Sequence, residues 1–230
     1  MKKTFTLLMT LFLVCTALTG LCEAAPAAPQ VYVSITDDTG ALVLAMEPVT
    51  AADHDGDGAF TIHDALTAAH AAHPDGKDAY TVAQTEWGLS LMELWGVENG
   101  GSYGYYLNDA MATGLLAPVA EGDHIKAYAY TDLEGFSDTY SWFEAPTAEV
   151  KAGETLPLTL YALTFDENFA PVSLPAADAR LTANGEATHA VTDAEGKAGL
   201  VFHAPGTYLV SAVSDTMVLV APVCLVTVTE

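Results

Sequence analysis

Apolar and polar positions along this chain follow two different rhythms. In Val31-Tyr32-Val33-Ser34-Ile35 the apolar side chains recur every second residue, as a half-buried strand requires, and Leu42-Val43-Leu44 returns after the turn signal Asp38-Thr39-Gly40. Across Ile62, Leu66, Ala69 and His73 the spacing becomes that of a helix, with Pro74 as its stop. Strand-like runs then resume in an apolar stretch holding Trp87, Leu89, Leu91 and Trp95, an aromatic one from Tyr103 to Leu107, and residues 125–130. From Ala148 onward short strand patterns (156–163, 179–183, 198–202, 208–212 and 219–228) are separated by turns such as Ala183-Asn184-Gly185. The patterning predicts a mainly β protein of two units. In residues 30–144 one helix crosses a mixed sheet, and residues 145–230 form a β-sandwich behind the linker Ala145-Pro146-Thr147.

The first residues change where such a protein is expected to live. Lys2 and Lys3, an apolar run over 5–21 and Ala24 before Ala25-Pro26 have the layout of a secretory signal peptide spanning 1–24. Lipidation at Cys22 is the competing outcome, although Leu21 fits a lipoprotein box poorly. Either way the protein is expected outside a bacterial cell or on its envelope. Cleavage leaves Cys224 alone among the cysteines, within Val223-Cys224-Leu225-Val226, where it reads as a core thiol. The stretch 217–228 is too short for a membrane span and is interrupted by Pro222, so it reads as one buried strand.

Charge narrows the partners. Thirty Asp and Glu face seven Lys and Arg, a formal net charge of −23. Such a surface repels nucleic acid and anionic lipid and favours cations.

One loop offers a cation site. Asp53, Asp55, Asp57 and Asp64 stand at positions one, three, five and twelve of an EF-hand-type loop, 53–64, with Gly58 at six and Phe60 at eight. In this reading the four carboxylates hold Ca2+, Ala59 adds its carbonyl, Thr61 holds a bridging water, and Phe60 packs inward. Asp64 occupies the place of the usual bidentate Glu, a substitution familiar from dockerin repeats. The alternative is an acidic turn with Asp64 as the cap of the helix.

Three blocks carry a family resemblance. Thr61-Ile62-His63-Asp64-Ala65-Leu66, Tyr103-Gly104-Tyr105-Tyr106-Leu107-Asn108-Asp109, and Gly122-Asp123-His124-Ile125 with Tyr128 resemble the signature blocks of a bacterial secreted domain family related to the transcobalamin C-terminal β-grasp domain. Tyr103 stands where that family has Trp, and Asp109 where it has the Gly of an Asn-Gly turn, which puts the tightness of the turn in question. The resemblance implies a β-grasp fold and a ligand surface at Tyr103, Tyr105 and Asn108, with a corrinoid among the ligands to consider. The calcium-type loop is an addition to the family pattern. Thr192-Asp193-Ala194-Glu195-Gly196-Lys197 followed by Pro205-Gly206-Thr207-Tyr208 resembles bacterial immunoglobulin-like, carboxypeptidase-regulatory-like modules. Such modules space, display or adhere.

The remaining chemistry is sparse. His63, His70 and His73 share a helix face without the i, i+4 pair of a zinc helix, and read as a partly exposed polar face. The chain has no Gly-x-Ser-x-Gly elbow, no His-Glu-x-x-His helix and no phosphate loop, so no enzyme is expected. Two readings follow. One is a calcium-stabilised binding protein for a small molecule or an extracellular surface partner; the other is a structural or adhesive envelope protein that calcium stiffens. A pocket beside the Tyr103 strand would favour the first.

Overall fold

The computed structural model describes residues 27–73, 76 and 79–230. The signal-peptide reading of residues 1–24 and the helix stop at Pro74 lie outside them. Alternating Val31, Val33 and Ile35 place β1 (Gln30–Thr36) on a core, and β2 (Leu42–Thr50) returns antiparallel to it. Their turn is closed by the Asp37 carboxylate, which accepts the N–H groups of Thr39 and Ala41. The helix α1 (Ile62–Ala72) begins where Thr61 and Asp64 form a capping box, each accepting the other's backbone N–H. Thr61 is thus the cap and Asp64 its third-position partner.

Strands β3 (Tyr80–Thr85) and β4 (Gly88–Leu94) make a hairpin of their own; β5 (Tyr103–Leu107), β6 (Ala110–Met111) and β7 (His124–Ala129) join the first pair. The sheet order is β2-β1-β7-β5-β6, with β7 parallel to β1 and the other neighbours antiparallel. A hairpin, a crossing helix and a late strand laid parallel to the first make this unit β-grasp-like. Ile62, Ala65, Leu66 and Ala69 of α1 meet Val31, Val33 and Ile35 across the core.

The second unit contains β8 (Asp138–Phe143), β9 (Thr147–Lys151), β10 (Thr155–Phe165), β11 (Pro171–Pro175), β12 (Ala179–Ala183), β13 (Glu186–Val191), β14 (Lys197–Val201), β15 (Gly206–Ser214), β16 (Val218–Val220) and β17 (Cys224–Thr229). One sheet runs β11-β10-β8-β16 with β14 also on β10; the other runs β13-β12-β15-β17-β9. Phe143, Leu160, Leu181, Val210 and Val226 fill the space between them, giving an immunoglobulin-like sandwich. Cys224 is fully buried there as a free thiol, and burial pushes its pKa up to about 11.

Two details depart from the sequence reading. Strand β8 precedes the expected linker at Ala145-Pro146-Thr147, yet it pairs with β10 and β16, so the change of sheet falls between Ala129 and Asp138. Asp138 locks that connection, accepting from the Thr131 and Asp132 N–H groups, while the Asp132 carboxylate accepts from Gly135 and Ser137. The stretch 217–228 is two strands rather than one: β16 lies in the sheet of β8, and β17 in the sheet of β15. Pro222, between them, has no N–H to continue a ladder.

Candidate functional site

The aspartate loop is held by its own backbone. Asp53 accepts N–H groups from Gly56 (2.7 Å), Asp57 (3.1 Å) and Gly58 (3.0 Å), and Asp57 accepts from Ala59 (2.8 Å). Gly56 and Gly58 take φ of +77° and +86°, which L side chains rarely adopt. The result brings one oxygen each of Asp53, Asp55 and Asp57 within 4.8 Å of one another. Asp64 is not part of that group. It is fully buried, and its oxygens accept from the His54 N–H (2.8 Å), the Thr61 N–H (3.0 Å) and the Thr61 hydroxyl (2.7 Å). Thr61 is itself buried in the cap, and Phe60 packs against the core.

Strand β5 has two unlike faces. Tyr103 and Tyr105 point to the helix side of the sheet, toward the hairpin of β3 and β4, while Tyr106 points away. The Tyr103 hydroxyl lies 2.7 Å from the carbonyls of Met92 and Val97, which share its one proton as acceptors, and accepts the Asn99 N–H at 3.3 Å. Burial raises its pKa; the Asn99 N–H opposes this, and the carboxylates of Glu93, Glu98 and Asp38 raise it further. Between hairpin and β5 lies a cavity of about 330 Å³ lined by Trp87, Met92, Tyr103 and Tyr105 among others. Trp87 is 88% exposed.

Trp87 and Met92 are missing from the sequence-predicted set. The signal for Trp87 was present: with Thr85 opposite Gly88, residues Glu86 and Trp87 form a two-residue turn, where a side chain has no sheet to cover it. Asn108, in contrast, is structural. Its amide donates to Asp123 (2.7 Å) and its carbonyl accepts the His124 N–H (2.9 Å), tying the β5–β6 turn to β7.

That turn is tight despite lacking glycine. Asn108 and Asp109 take φ of +51° and +63°, with Leu107 opposite Ala110, as a two-residue hairpin turn demands. The Asp109 carboxylate has work that glycine could not do. It accepts from Lys126 Nζ (2.8 Å) and from the Tyr140 hydroxyl (2.7 Å), linking the first unit to β8. Lys126 also donates to the Ser141 carbonyl (3.1 Å) and stands over the Tyr140 ring at 4.4 Å. Tyr106 stacks on Tyr140 with centroids 3.5 Å apart and 8° between planes. Beside them His124 is buried with Nε2 2.9 Å from the Ser34 hydroxyl; desolvation first, then Lys126, lowers its pKa to about 4 against the opposing pull of Asp109.

Of the three helix histidines, His63 and His73 are partly exposed, and His70 departs from the expected polar face. His70 is buried against Tyr80 and Trp95, donating from Nδ1 to the Leu66 carbonyl (2.7 Å) and accepting the Trp95 N–H at Nε2 (3.3 Å), and burial lowers its pKa. Its two ring nitrogens are therefore spoken for. His63 meets the Tyr80 hydroxyl through Nδ1 (2.8 Å), and His73 ends the helix in extended backbone. A larger open groove, about 790 Å³, runs between the β1–β2 turn and the face of β12 and β15; among the described residues no aromatic or charged side chain lines it, so these offer little to orient a ligand. Among the described residues no helix is long and apolar enough to cross a membrane.

No protein-family model matches the chain, and no curated protein matches it. Among solved structures it is similar to the N-terminal Ig1-2 module of the Drosophila receptor protein tyrosine phosphatase DLAR, at 12% identity over 69% of this chain and 79% of that one, with a TM-score of 0.28. A likeness so slight bears on neither fold nor function. The blocks around Tyr103 and Asp64 therefore remain a resemblance in residues.

Proposed function

We propose that this chain is a secreted, non-catalytic binding protein whose β-grasp-like unit takes a small molecule between the β3–β4 hairpin and strand β5. The observation that carries the reading is the cavity of about 330 Å³ beside Tyr103 and Tyr105, bordered also by the exposed Trp87. Rings fixed by packing supply contact area at little entropic cost, and Tyr103 is fixed at both its ring and its hydroxyl. A space of this size suits a small organic group and not a whole corrin macrocycle. Titrating ¹⁵N-labelled full-length protein with the small-molecule fraction of the medium of its own producing cell tests this. The Trp87 indole and the Gly100 and Gly101 amides should shift while those of Tyr106 and Tyr128 stay. Shifts confined to the groove near Asn184, or none anywhere, would reject the reading.

Calcium has a supporting role in this proposal. Asp53, Asp55 and Asp57 offer three converging oxygens, and Asp64 joins them only by giving up bonds to His54 and Thr61. That exchange weakens the site, into the range of order 10⁻⁵ to 10⁻³ M typical of extracellular modules. One feature favours the alternative, a rigid envelope or adhesive module. The two units are joined through the buried Lys126 and Tyr140 and the half-buried Asp109 rather than by a loose linker.

A further inference from the structure

We infer that the cavity beside β5 is a site for a small organic cation, a quaternary or tertiary ammonium; the inference rests on the reading of that cavity as the ligand site and names the chemistry it selects. Three aromatic residues, Trp87, Tyr103 and Tyr105, border one space, with Met92 beside them. Aromatic faces carry negative quadrupole density, and an indole is the strongest of them toward a cation. Among the described residues neither lysine nor arginine lines the space. The carboxylates of Glu93, Glu98 and Asp38 raise the pKa of the Tyr103 hydroxyl, so negative charge acts on a residue that lines the space. An anionic ligand would meet that charge with no basic partner among the described lining residues. A neutral apolar ligand would gain from the rings and nothing from the carboxylates. A cation gains from both, and an alkylated ammonium sheds its hydration more readily than a primary one, which suits a half-open pocket. The chain's net charge of −23 adds long-range attraction of the same sign.

The exposure of Trp87 supports the same conclusion. Trp87 stands at a two-residue turn, 88% exposed, and borders the cavity together with Tyr105, itself half-buried and packed on the core. Gly100 and Gly101, with φ of +78° and +95°, also line it and, having no side chain, leave room for alkyl groups.

Calorimetric titration of full-length protein with choline, against its uncharged isostere 3,3-dimethyl-1-butanol, tests the inference. Choline should bind saturably at one site, the isostere at least about fivefold more weakly, as a lost cation–π contribution implies. Trp87→Ala should weaken choline by roughly tenfold with its unfolding transition unchanged, and Glu93→Gln by about twofold. Equal affinity for the two probes would overturn the cation and leave the cavity reading standing. No heat from choline up to about 20 mM would overturn the inference, as would binding of a lysine-rich peptide in its place, which would mark a protein partner.

Discussion

Strand β5 carries tyrosines on both faces, and the two faces have opposite fates. Tyr106 is 5% exposed, stacked on Tyr140 and closed in by Tyr128 of β7 and by Val220 of the second unit. Tyr105, one residue away, is half-buried and borders an open cavity. Residue type is the same and so is the strand; what differs is the element opposite. Tyr106 faces a strand of another sheet, bolted down by Lys126 and Asp109, whereas Tyr103 and Tyr105 face a two-stranded hairpin that covers them incompletely. A face covered by a large sheet becomes core, and a face covered by a small hairpin keeps space for a ligand. Rigidity on the first side is what holds the second in shape.

The contrast can be broken at several strengths. Tyr106→Ala should cost the most, about 3 to 5 kcal/mol in denaturant unfolding, because it empties a stacked, buried site. A loss no larger than that of an exposed residue would erase the distinction between faces. Acid should act next. His124 is held neutral with a folded pKa of about 4 against an ordinary 6.5, so its stabilising contribution is complete above pH 6.5 and is lost as pH falls toward 4. The loss is about 3 kcal/mol, and His124→Gln should flatten that part of the stability profile.

Asp109→Ala should cost about 2 kcal/mol by leaving the Lys126 ammonium buried without its partner, while Lys126→Met with Asp109→Leu should recover much of it. A larger deficit in the double variant would mean that the ion pair itself, rather than packing, joins the units. Calcium should have a smaller effect. Free ion tenfold above the dissociation constant stabilises by about 1.4 kcal/mol, so millimolar calcium should raise the melting temperature of wild type but not of Asp55→Ala/Asp57→Ala. An identical melting temperature with and without calcium in wild type would leave the loop as an acidic turn ahead of a capped helix.

Local signals were legible in the chain and distant partnerships were not. The β1–β2 hairpin follows from alternation plus the turn at Asp38-Thr39-Gly40, the helix from the spacing of Ile62, Leu66 and Ala69, and the β5–β6 turn from Asn108-Asp109, since each depends on residues a few positions apart, although the cap read at Asp64 falls at Thr61. Strand β8 was assigned by proximity to the unit before it because nothing in its own pattern names β10 and β16 as partners. The departure of Asp109 from glycine looked like a weakened turn, and its reason lies 31 residues away at Tyr140. His70 read as surface because helical spacing locates a face without saying what packs there; Tyr80 and Trp95 do. Tyr103 and Tyr105 were found through their block. Trp87 was passed over because aromatic residues in strand-rich stretches are ordinarily core, and its place in the turn decides otherwise.

The difference between the two faces is tested most directly at Trp87, since a side chain 88% exposed can be removed with a change in stability of only about 0.5 kcal/mol or less. The measurement is the ¹⁵N-resolved titration of wild type and Trp87→Ala with the producing cell's small-molecule fraction, read at Gly100 and Gly101. The account predicts saturating shifts in wild type, only small and unsaturated shifts in Trp87→Ala over the same range, and superimposable spectra elsewhere. The same shifts in both proteins would place the ligand away from the hairpin and contradict it.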